Sequence, residues 1–297
     1  MNKAKKQYDA IFAGNYTKDT IITPDGTRYV DGGGMNYAAH AAASLGRKAA
    51  IVTRLSREDE HVVEAIRADG IDCYPVYSPS STLMTLEYRT HDVDKRNLYV
   101  KATAGTISPS ALDGLEARAI VVSPSLRGEV EPEFIGEMRK RSGILISADV
   151  QGFVRVLRNE TLVYEAWPEM AEVLRNLDIL KTDAVEAAYL TGEENIEKAA
   201  AFFADLGVKE VLLSHSEGIL VHTDGKNHHY KFHARSMAGR SGRGDTCVGS
   251  YVAMRLTLPP VEAGKWSAAV TSLKVERLGV FDHPIEEVRA FIAEHYE

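Results

Sequence analysis

The sequence GRSGRGDTCVG occupies Gly239–Gly249, and a helical pattern continues from it. Two of its glycines, Gly242 and Gly244, immediately precede Asp245. Glycines at the N-terminus of a helix let backbone N–H groups converge on an anion, and the helix dipole favours negative charge there. An Asp in this place can accept the proton of an attacking hydroxyl, as in many phosphoryl-transfer enzymes. The stretch therefore favours a phosphate site with Asp245 as the base, although a tight turn closed by an Asp N-cap would have the same sequence.

Outward from this stretch, strands and helices alternate along most of the 297 residues. Repeated βα units predict a mostly parallel sheet with helices on both faces. Two early hairpins interrupt the pattern, one turning at Pro24–Gly26 and the other at the polar segment His91–Asp94. We expect them to form a small β-sheet lid from approximately residues 19–31 and 82–101. The sequence thus predicts an α/β fold, with residues 1–297 forming a single domain arranged as a three-layer αβα sandwich with a lid.

The charge and cysteine content argue against several classes of protein. The chain has 35 Lys and Arg against 42 Asp and Glu, whereas nucleic-acid-binding proteins usually carry a basic surface. The two cysteines, Cys73 and Cys247, provide neither a disulfide framework nor the spacing of metal ligands. The N-terminus lacks the apolar segment of a signal peptide, and no apolar run approaches the ~18 residues of a membrane span. We therefore expect a cytoplasmic enzyme with a small-molecule substrate and neither a nucleic-acid nor a membrane partner.

Three blocks of the sequence resemble the ribokinase-like (PfkB) carbohydrate kinases, in the order and spacing of that family. The first is Gly32–Ala38 (GGGMNYA), followed by an Ala-rich helix. The second is Lys181–Glu186 (KTDAVE), with Leu190–Gly192 (LTG) after it, and the third is Gly242–Asp245 (GRGD). The similarity covers almost the whole chain. It implies a ribokinase-like fold and a carbohydrate kinase that uses ATP and Mg²⁺.

The resemblance implies a substrate site near the N-terminus. Asp19 and Asn36 match positions that hold substrate hydroxyls in the family, and Gly33 and Gly34 match glycines that let the substrate approach the backbone. As alternatives, Asp19 could close a turn and Asn36 could cap its helix.

The resemblance also implies roles in phosphoryl transfer. Asp245 matches the base of the family, and Gly242, Arg243 and Gly244 match the amides that stabilise the transferring phosphoryl group. Glu186 matches the carboxylate that organises Mg²⁺ and its waters, in keeping with the few carboxylates that Mg²⁺ takes from proteins. Outside this block, Glu186 would be interpreted as a solvated surface charge.

Candidate nucleotide-binding residues follow from the same resemblance. Asp183 stands where the family usually has Asn, and His215 replaces a usual Gly in the turn that ends at Gly218. The adenine of ATP would lie against a helix near the C-terminus, beside Ala269 and Ser272. Small residues at such positions are also typical of plain helix packing.

Two departures from the family pattern mark a subgroup. Arg243 stands where most relatives have Ala, and it could bind the transferred phosphate or an acidic substrate group bidentately or point to solvent. Gly239 stands where an Asp often precedes the motif, which leaves a metal role there in doubt.

Two further segments indicate which subgroup this is. Ser147–Arg155 (SADVQGFVR) and Thr271–Val275 (TSLKV) are similar to kinases associated with inositol metabolism. Gln151 and Arg155 thereby become candidates for contacts with substrate or phosphate, the alternative being a strand-end loop with a surface Arg.

Other functions are weighed against a kinase. A dinucleotide-dependent oxidoreductase would need GxGxxG directly after the first strand, and a hairpin intervenes here. A non-catalytic sugar sensor could keep the fold, but base, glycines and carboxylate are all present. A nucleoside or ketose substrate stays open, since Tyr16, Tyr37 and Tyr88 could stack on a base. Exposed lid edges also make a homodimer through the lid possible.

Overall fold

A computed structural model describes residues 5–90 and 96–297. The predicted turn at His91–Asp94 lies outside this part of the chain. The strands are β1 (Lys6–Ala13), β2 (Thr17–Thr23), β3 (Gly26–Gly32), β4 (Ala49–Leu55), β5 (Asp72–Tyr77), β6 (Thr82–Glu87), β7 (Asn97–Ala102), β8 (Leu115–Val122), β9 (Leu145–Asp149), β10 (Arg155–Arg158), β11 (Thr161–Tyr164), β12 (Ile179–Asp183), β13 (Glu210–Ser214), β14 (Gly218–Thr223) and β15 (Lys226–Lys231).

The helices lie mostly between successive strands, as the alternating pattern predicts. They are α1 (Gly34–Ser44), α2 (Glu60–Ala68), α3 (Pro132–Arg139), α4 (Gln151–Val154), α5 (Met170–Arg175), α6 (Ala184–Thr191), α7 (Ile196–Asp205), α8 (Arg243–Arg255), α9 (Pro260–Val275) and α10 (Ile285–His295). Within the described ranges, none of these helices combines the length and apolar character needed to span a membrane.

A large sheet forms the centre of the molecule, with strand order β15-β14-β13-β12-β9-β8-β1-β4-β5. Its pairs from β13 to β5 are parallel, and β14 and β15 join antiparallel at one edge. Successive residues of its strands point to opposite faces. Phe12 of β1 therefore belongs to the hydrophobic cluster that includes α1, α2, α8, α9 and α10, whereas Ile11 belongs to the cluster that includes α3, α5, α6 and α7. The three-layer αβα sandwich predicted from the sequence is confirmed.

Two helices of the first face, α1 and α8, pack with their backbones in close contact. A Cβ on Gly249 of α8 would collide with the backbone of Ala38 in α1. The Ala-rich sequence of α1 and the glycine of α8 make this approach possible, since neither carries a side chain that would hold the helices apart.

A small second sheet has strand order β10-β11-β7-β6-β2-β3. It contains both hairpins expected from the sequence, with β2 and β3 antiparallel and β6 and β7 antiparallel. A third hairpin, β10–β11, extends the sheet by pairing Thr161 with Tyr99. The sequence analysis assigned no strand there, because RVLRNETLVY is polar and its turn has no glycine or proline. Asn159 and Glu160 form that turn with positive φ values of 45° and 64°.

The parallel strands have their carboxyl ends at one edge of the large sheet. Loops after β1, β9 and β12 emerge there, and the N-termini of α1, α6 and α8 lie nearby. In open α/β sheets, ligands bind at this edge. Most of the residues singled out in the sequence cluster around it.

Candidate active site

The N-terminus of α8 has a backbone that only glycines allow. Gly242 is the N-cap residue with φ +75°, and a Cβ on it would collide with the ring of Tyr37. A Cβ on Gly244 would lie 2.7 Å from Nζ of Lys181. Because both glycines are bare, the first amides of the helix are accessible to an anion from outside.

Asp245 lies in the first turn of α8 and approaches the N-terminus of α1. A Cβ on Gly34 would collide with Oδ1 of Asp245. That oxygen is buried and has no hydrogen-bond partner within the described residues. Burial and the nearby charge of Asp149 raise the pKa of Asp245, while Lys181 and Arg155 oppose the shift. Asp245 is thus a carboxylate with a raised proton affinity and one unoccupied acceptor oxygen.

Lys181 and Asp149 form a buried ion pair beneath the helix N-terminus. They are register partners on the neighbouring parallel strands β12 and β9, and Nζ of Lys181 lies 3.1 Å from Oδ2 of Asp149. Burial alone would lower the pKa of Lys181, but Asp149 and the other nearby carboxylates reverse this and raise it. Neither residue was predicted to have a role, although a Lys directly after the apolar pair Ile179–Leu180 and an Asp at the end of the segment SAD were visible in the sequence.

The predicted acceptor residues lie on the α1 side of Asp245. Oδ1 of Asp19 and Oδ1 of Asn36 are buried atoms without a hydrogen-bond partner in the described part of the chain. A Cβ on Gly32 would collide with Asp19, and Gly33 begins α1 with φ +105°. Burial raises the pKa of Asp19 to about 7. Ser123, which the sequence analysis did not select, adds an unpartnered buried hydroxyl near Gly34.

A cavity of about 550 Å³ opens on the other side of Asp245. Its lining includes eight residues predicted from the sequence, namely Gln151, Arg155, Asp183, His215, Gly242, Arg243, Gly244 and Asp245. Its charged residues within the described ranges are the cations Arg96, Arg155, Lys181, Arg240 and Arg243 and the carboxylates Asp183 and Asp245. Five cations against two carboxylates make the cavity suited to a highly charged anion.

Glu186 lies behind this cavity and is fully buried. Its Oε1 accepts a hydrogen bond of 3.0 Å from Nη2 of Arg155, and its Oε2 accepts one of 3.1 Å from the backbone N of Asp183. The second bond belongs to a capping box in which Asp183 also accepts from the Glu186 amide. Burial raises the pKa of Glu186, and Arg155 opposes the shift. Both oxygens of Glu186 therefore accept hydrogen bonds from within the protein. This arrangement does not fit a carboxylate that binds a metal ion directly.

Asp183 and His215 line the cavity from two neighbouring strand ends. Nδ1 of His215 accepts from the backbone N of Glu217 at 3.4 Å, and burial lowers the pKa of His215, so the ring is neutral near pH 7. Among the described residues, two carboxylates line the cavity, Asp245 and Asp183. A hydrated Mg²⁺ carried by donor phosphates, with Asp183 as its protein ligand, fits this set, because Mg²⁺ takes few carboxylates and keeps waters.

Three predicted nucleotide-binding residues do not line the cavity. Gly218 is buried where a Cβ would collide with the carbonyl oxygen of Tyr230. Ala269 and Ser272 are 0% exposed, and Oγ of Ser272 accepts from the backbone N of His233 at 3.1 Å. The ring of His233 in turn stacks on that of His295 at 4.6 Å. The face of α9 expected to receive adenine is thus covered by the chain itself.

Residues 7–287 match the pfkB family carbohydrate kinase profile. This match covers most of the chain and includes every element that surrounds the cavity. The chain belongs to the PfkB family of carbohydrate kinases. It is therefore a phosphotransferase of the carbohydrate kinase class.

Two solved structures are similar to this PfkB kinase over nearly its whole length. A pyrophosphate-dependent kinase in the ribokinase family, complexed with a pyrophosphate analog and myo-inositol, is 30% identical with a TM-score of 0.87, over 95% of this chain and 100% of that one. A pyrophosphate-dependent myo-inositol-1 kinase, converted into a myo-inositol-3 kinase by mutation, is also 30% identical with a TM-score of 0.87, over 97% and 100%.

A more distant structure shares the fold of this PfkB kinase. The ribokinase of Arabidopsis thaliana, complexed with ribose and ATP, is 18% identical with a TM-score of 0.76, over 96% of this chain and 98% of that one. A comparison with the curated proteins finds no match.

Proposed function

We propose that this PfkB kinase phosphorylates a hydroxyl of a cyclitol such as an inositol, with Asp245 as the general base. The observation that carries the proposal is the position of Asp245. Its unpartnered Oδ1 lies against Gly34 on the acceptor side, and its own helix N-terminus opens into the basic cavity. A base between an acceptor site and a phosphate site has the geometry of phosphoryl transfer.

The acceptor side suits a compact polyol. Asp19, Asn36 and Ser123 offer buried oxygens without partners in the described ranges, and each can bind a hydroxyl. Tyr16 is 0% exposed and Tyr37 packs on Gly242, so these two rings are not available to stack on a nucleobase. This favours a cyclitol over a nucleoside, in line with the myo-inositol bound by a similar enzyme.

The donor in this proposal is pyrophosphate, in place of the ATP expected from the sequence. Two observations support it. The cavity is rich in Arg and Lys, which hold phosphates, and the α9 face that would receive adenine is buried under His233. The similar structures at 30% identity are also of pyrophosphate-dependent kinases.

The proposed reaction is an in-line transfer. The acceptor hydroxyl oxygen attacks one phosphorus of pyrophosphate, the bridging P–O bond breaks, and the hydroxyl proton passes to Asp245. The products are a phosphomonoester and inorganic phosphate. The amides of Gly242 to Gly244 and the ammonium of Lys181 stabilise charge on the transferring group. Bound Mg²⁺ supplies further neutralisation of the donor charge.

The small sheet acts as the lid of a single kinase domain in this proposal. Arg96, which directly precedes its strand β7, lines the cavity and lies close enough to Asp19 to oppose the rise in the pKa of Asp19. Closure of the sheet over the acceptor excludes water, which would otherwise compete with the hydroxyl for the phosphoryl group.

The test is a matrix of donors and acceptors with Mg²⁺. The donors are pyrophosphate and ATP, and the acceptors are inositols, ribose, fructose, keto-sugar acids and nucleosides. We expect phosphate-ester formation from pyrophosphate and an inositol. Turnover with ATP alone would overturn the donor assignment. Silence with every pair, while donor and acceptor still bind, would favour a non-catalytic sugar sensor.

A further inference from the structure

Lys274 is a buried lysine in the last turn of α9. Its residue is 2% exposed. The ammonium donates hydrogen bonds to two backbone carbonyl oxygens, those of Gly239 and Ser241, and it lies 5.2 Å from the centre of the Tyr37 ring. The reaction as described above gives this residue no role.

The carbonyls that Lys274 holds belong to the segment Gly239–Ser241, which leads into α8. The end of α9 holds the same segment through the backbone, because N of Gly239 donates to O of Val275 at 2.8 Å. A Cβ on Gly239 would collide with the carbonyl oxygen of Arg277. This close contact explains why a glycine replaces the Asp that the family often has at this position.

The segment held by Lys274 ends where the phosphate site begins. Ser241 directly precedes Gly242, the N-cap of α8, and the helix starts at Arg243. Tyr37, over which the ammonium lies, also packs against Gly242. The ammonium therefore contacts the backbone of Ser241, one residue before the amides proposed to receive the phosphoryl group. It also lies over the Tyr37 ring, which packs against Gly242.

A lysine is a costly residue for this place if packing is its only purpose. Taking an ammonium out of water is unfavourable, and an apolar residue of similar length would fill the space without that cost. Burial lowers the pKa of Lys274 to about 8; the negative charge of Asp245 opposes this shift and Arg28 adds to it. Residues that break a packing rule in this way are expected at functional sites.

We propose that Lys274 is a positioning residue for phosphoryl transfer, whose ammonium fixes the segment Gly239–Ser241 so that the first amides of α8 face the transferring group. It touches neither donor nor acceptor. The inference rests on the proposed phosphate site at the N-terminus of α8, but it applies whichever acceptor is used.

Two variants of the full chain test the role. Lys274→Met keeps the length and removes the charge, and Lys274→Arg keeps the charge. We expect Lys274→Met to lower kcat ~10- to 100-fold, less than the loss of an oxyanion donor can cost, with KM for the acceptor within about twofold of wild type. We expect Lys274→Arg, which keeps hydrogen-bond donors for the two carbonyls, to recover at least part of both kcat and Tm.

Hydrogen exchange supplies a readout that does not depend on turnover. The amides of residues 239–246 should exchange faster in Lys274→Met than in wild type, and those of α1 should not change. If wild type has no activity with any acceptor, the proposed function fails, and this exchange experiment still decides the role of Lys274.

Three results would overturn the inference. One is a kcat of Lys274→Met within twofold of wild type. Another is a parallel loss of kcat and Tm in both variants, which would make Lys274 a packing residue. The third is unchanged exchange at residues 239–246 in Lys274→Met.

Discussion

The two sides of Asp245 are built from opposite kinds of group. On the donor side, charged groups are held in ion pairs, as Lys181 is by Asp149 and Arg155 by Glu186. On the acceptor side, Asp19 and Asn36 keep buried oxygens without partners in the described chain. In the proposed reaction this difference separates how the two ligands are recognised: the donor meets charged groups that are already held in ion pairs, whereas the hydroxyls of the acceptor would provide partners for neutral and acidic oxygens.

The largest expected effect tests the residue that joins the two sides. Asp245→Asn should lower kcat by ~10³-fold, within the range of general-base catalysis, because the amide cannot take the hydroxyl proton. Binding of Mg-pyrophosphate, measured by calorimetry, should be nearly unchanged. The surface variant Asp205→Asn, at the exposed end of α7, is the matched control, and it should retain the turnover of wild type. Equal losses in both variants would remove Asp245 as the base.

The next prediction concerns the acceptor side and pH. Because burial raises the pKa of Asp19 to about 7, the ionised fraction of its carboxyl falls as the pH drops below about 7. We expect kcat/KM for the acceptor to fall ~10-fold per pH unit below 7, and Asp19→Asn should abolish the part of this limb that is due to Asp19. An acid limb that is identical in both proteins would assign it to Asp245 alone.

The same residue should affect stability in the opposite direction to activity. The folded state binds the Asp19 proton more tightly than the unfolded state, whose carboxyl has an ordinary pKa of 3.8. Stability from this group is therefore present at low pH and is lost as pH rises from about 4 to about 7. We expect Asp19→Asn to raise the Tm at pH 8 by a few degrees, and to change it little at pH 4. A lower Tm at pH 8 would mean that the carboxylate is satisfied in the free protein.

A smaller effect on kinetics is expected when Arg155, on the donor side, loses its ion-pair partner Glu186. Glu186→Gln removes the charge that holds Arg155, and we expect KM for pyrophosphate to rise ~10-fold, about 1.4 kcal/mol, with KM for the acceptor unchanged. The surface variant Glu172→Gln is the control. If excess Mg²⁺ restores the wild-type KM, then Glu186 organises the metal, and its contact with Arg155 is secondary.

The smallest effect compares the two sides without mutation. Raising salt from about 0.05 to about 0.3 M shortens the range of electrostatic attraction. KM for pyrophosphate should rise severalfold, since five cations among the described residues line the cavity proposed to bind it, while KM for the neutral cyclitol should stay constant. A parallel rise in both KM values would contradict the assignment of electrostatic binding to the donor side alone.

The sequence predicted the parts of the site that depend on glycine and on local order along the chain. The stretch from Gly242 to Asp245 indicated a helix N-terminus with a base, and the glycines before Asn36 indicated a close approach. The structure places Gly34 against Asp245, a contact between residues more than two hundred positions apart. The sequence pattern alone could place Gly34 and Asp245 each at the start of a helix. The family resemblance was needed to connect the two residues to one reaction.

The parts that escaped prediction depend on pairs of residues on different elements. The strand β12 is short and carries Lys181, so its apolar pattern is too weak to indicate a buried strand. The ion-pair partner of Lys181, Asp149, lies on a different strand, β9. Lys274 is similar: in a helix pattern a lysine indicates a solvated face. The positions of Ala269 and Ser272 were read correctly as helical, but the residues that cover them, His233 and His295, come from distant segments.

The close backbone contact between α1 and α8 has a consequence for how this enzyme can diverge. Because Gly249 leaves no room beside Ala38, the acceptor glycines and the base belong to one rigid body, and neither can shift to suit a new substrate without the other. The small sheet is separate from the large sheet on which these two helices pack. New acceptor preferences are therefore expected to arise by substitutions in that sheet. The catalytic residues would then stay the same while the specificity for the acceptor changes.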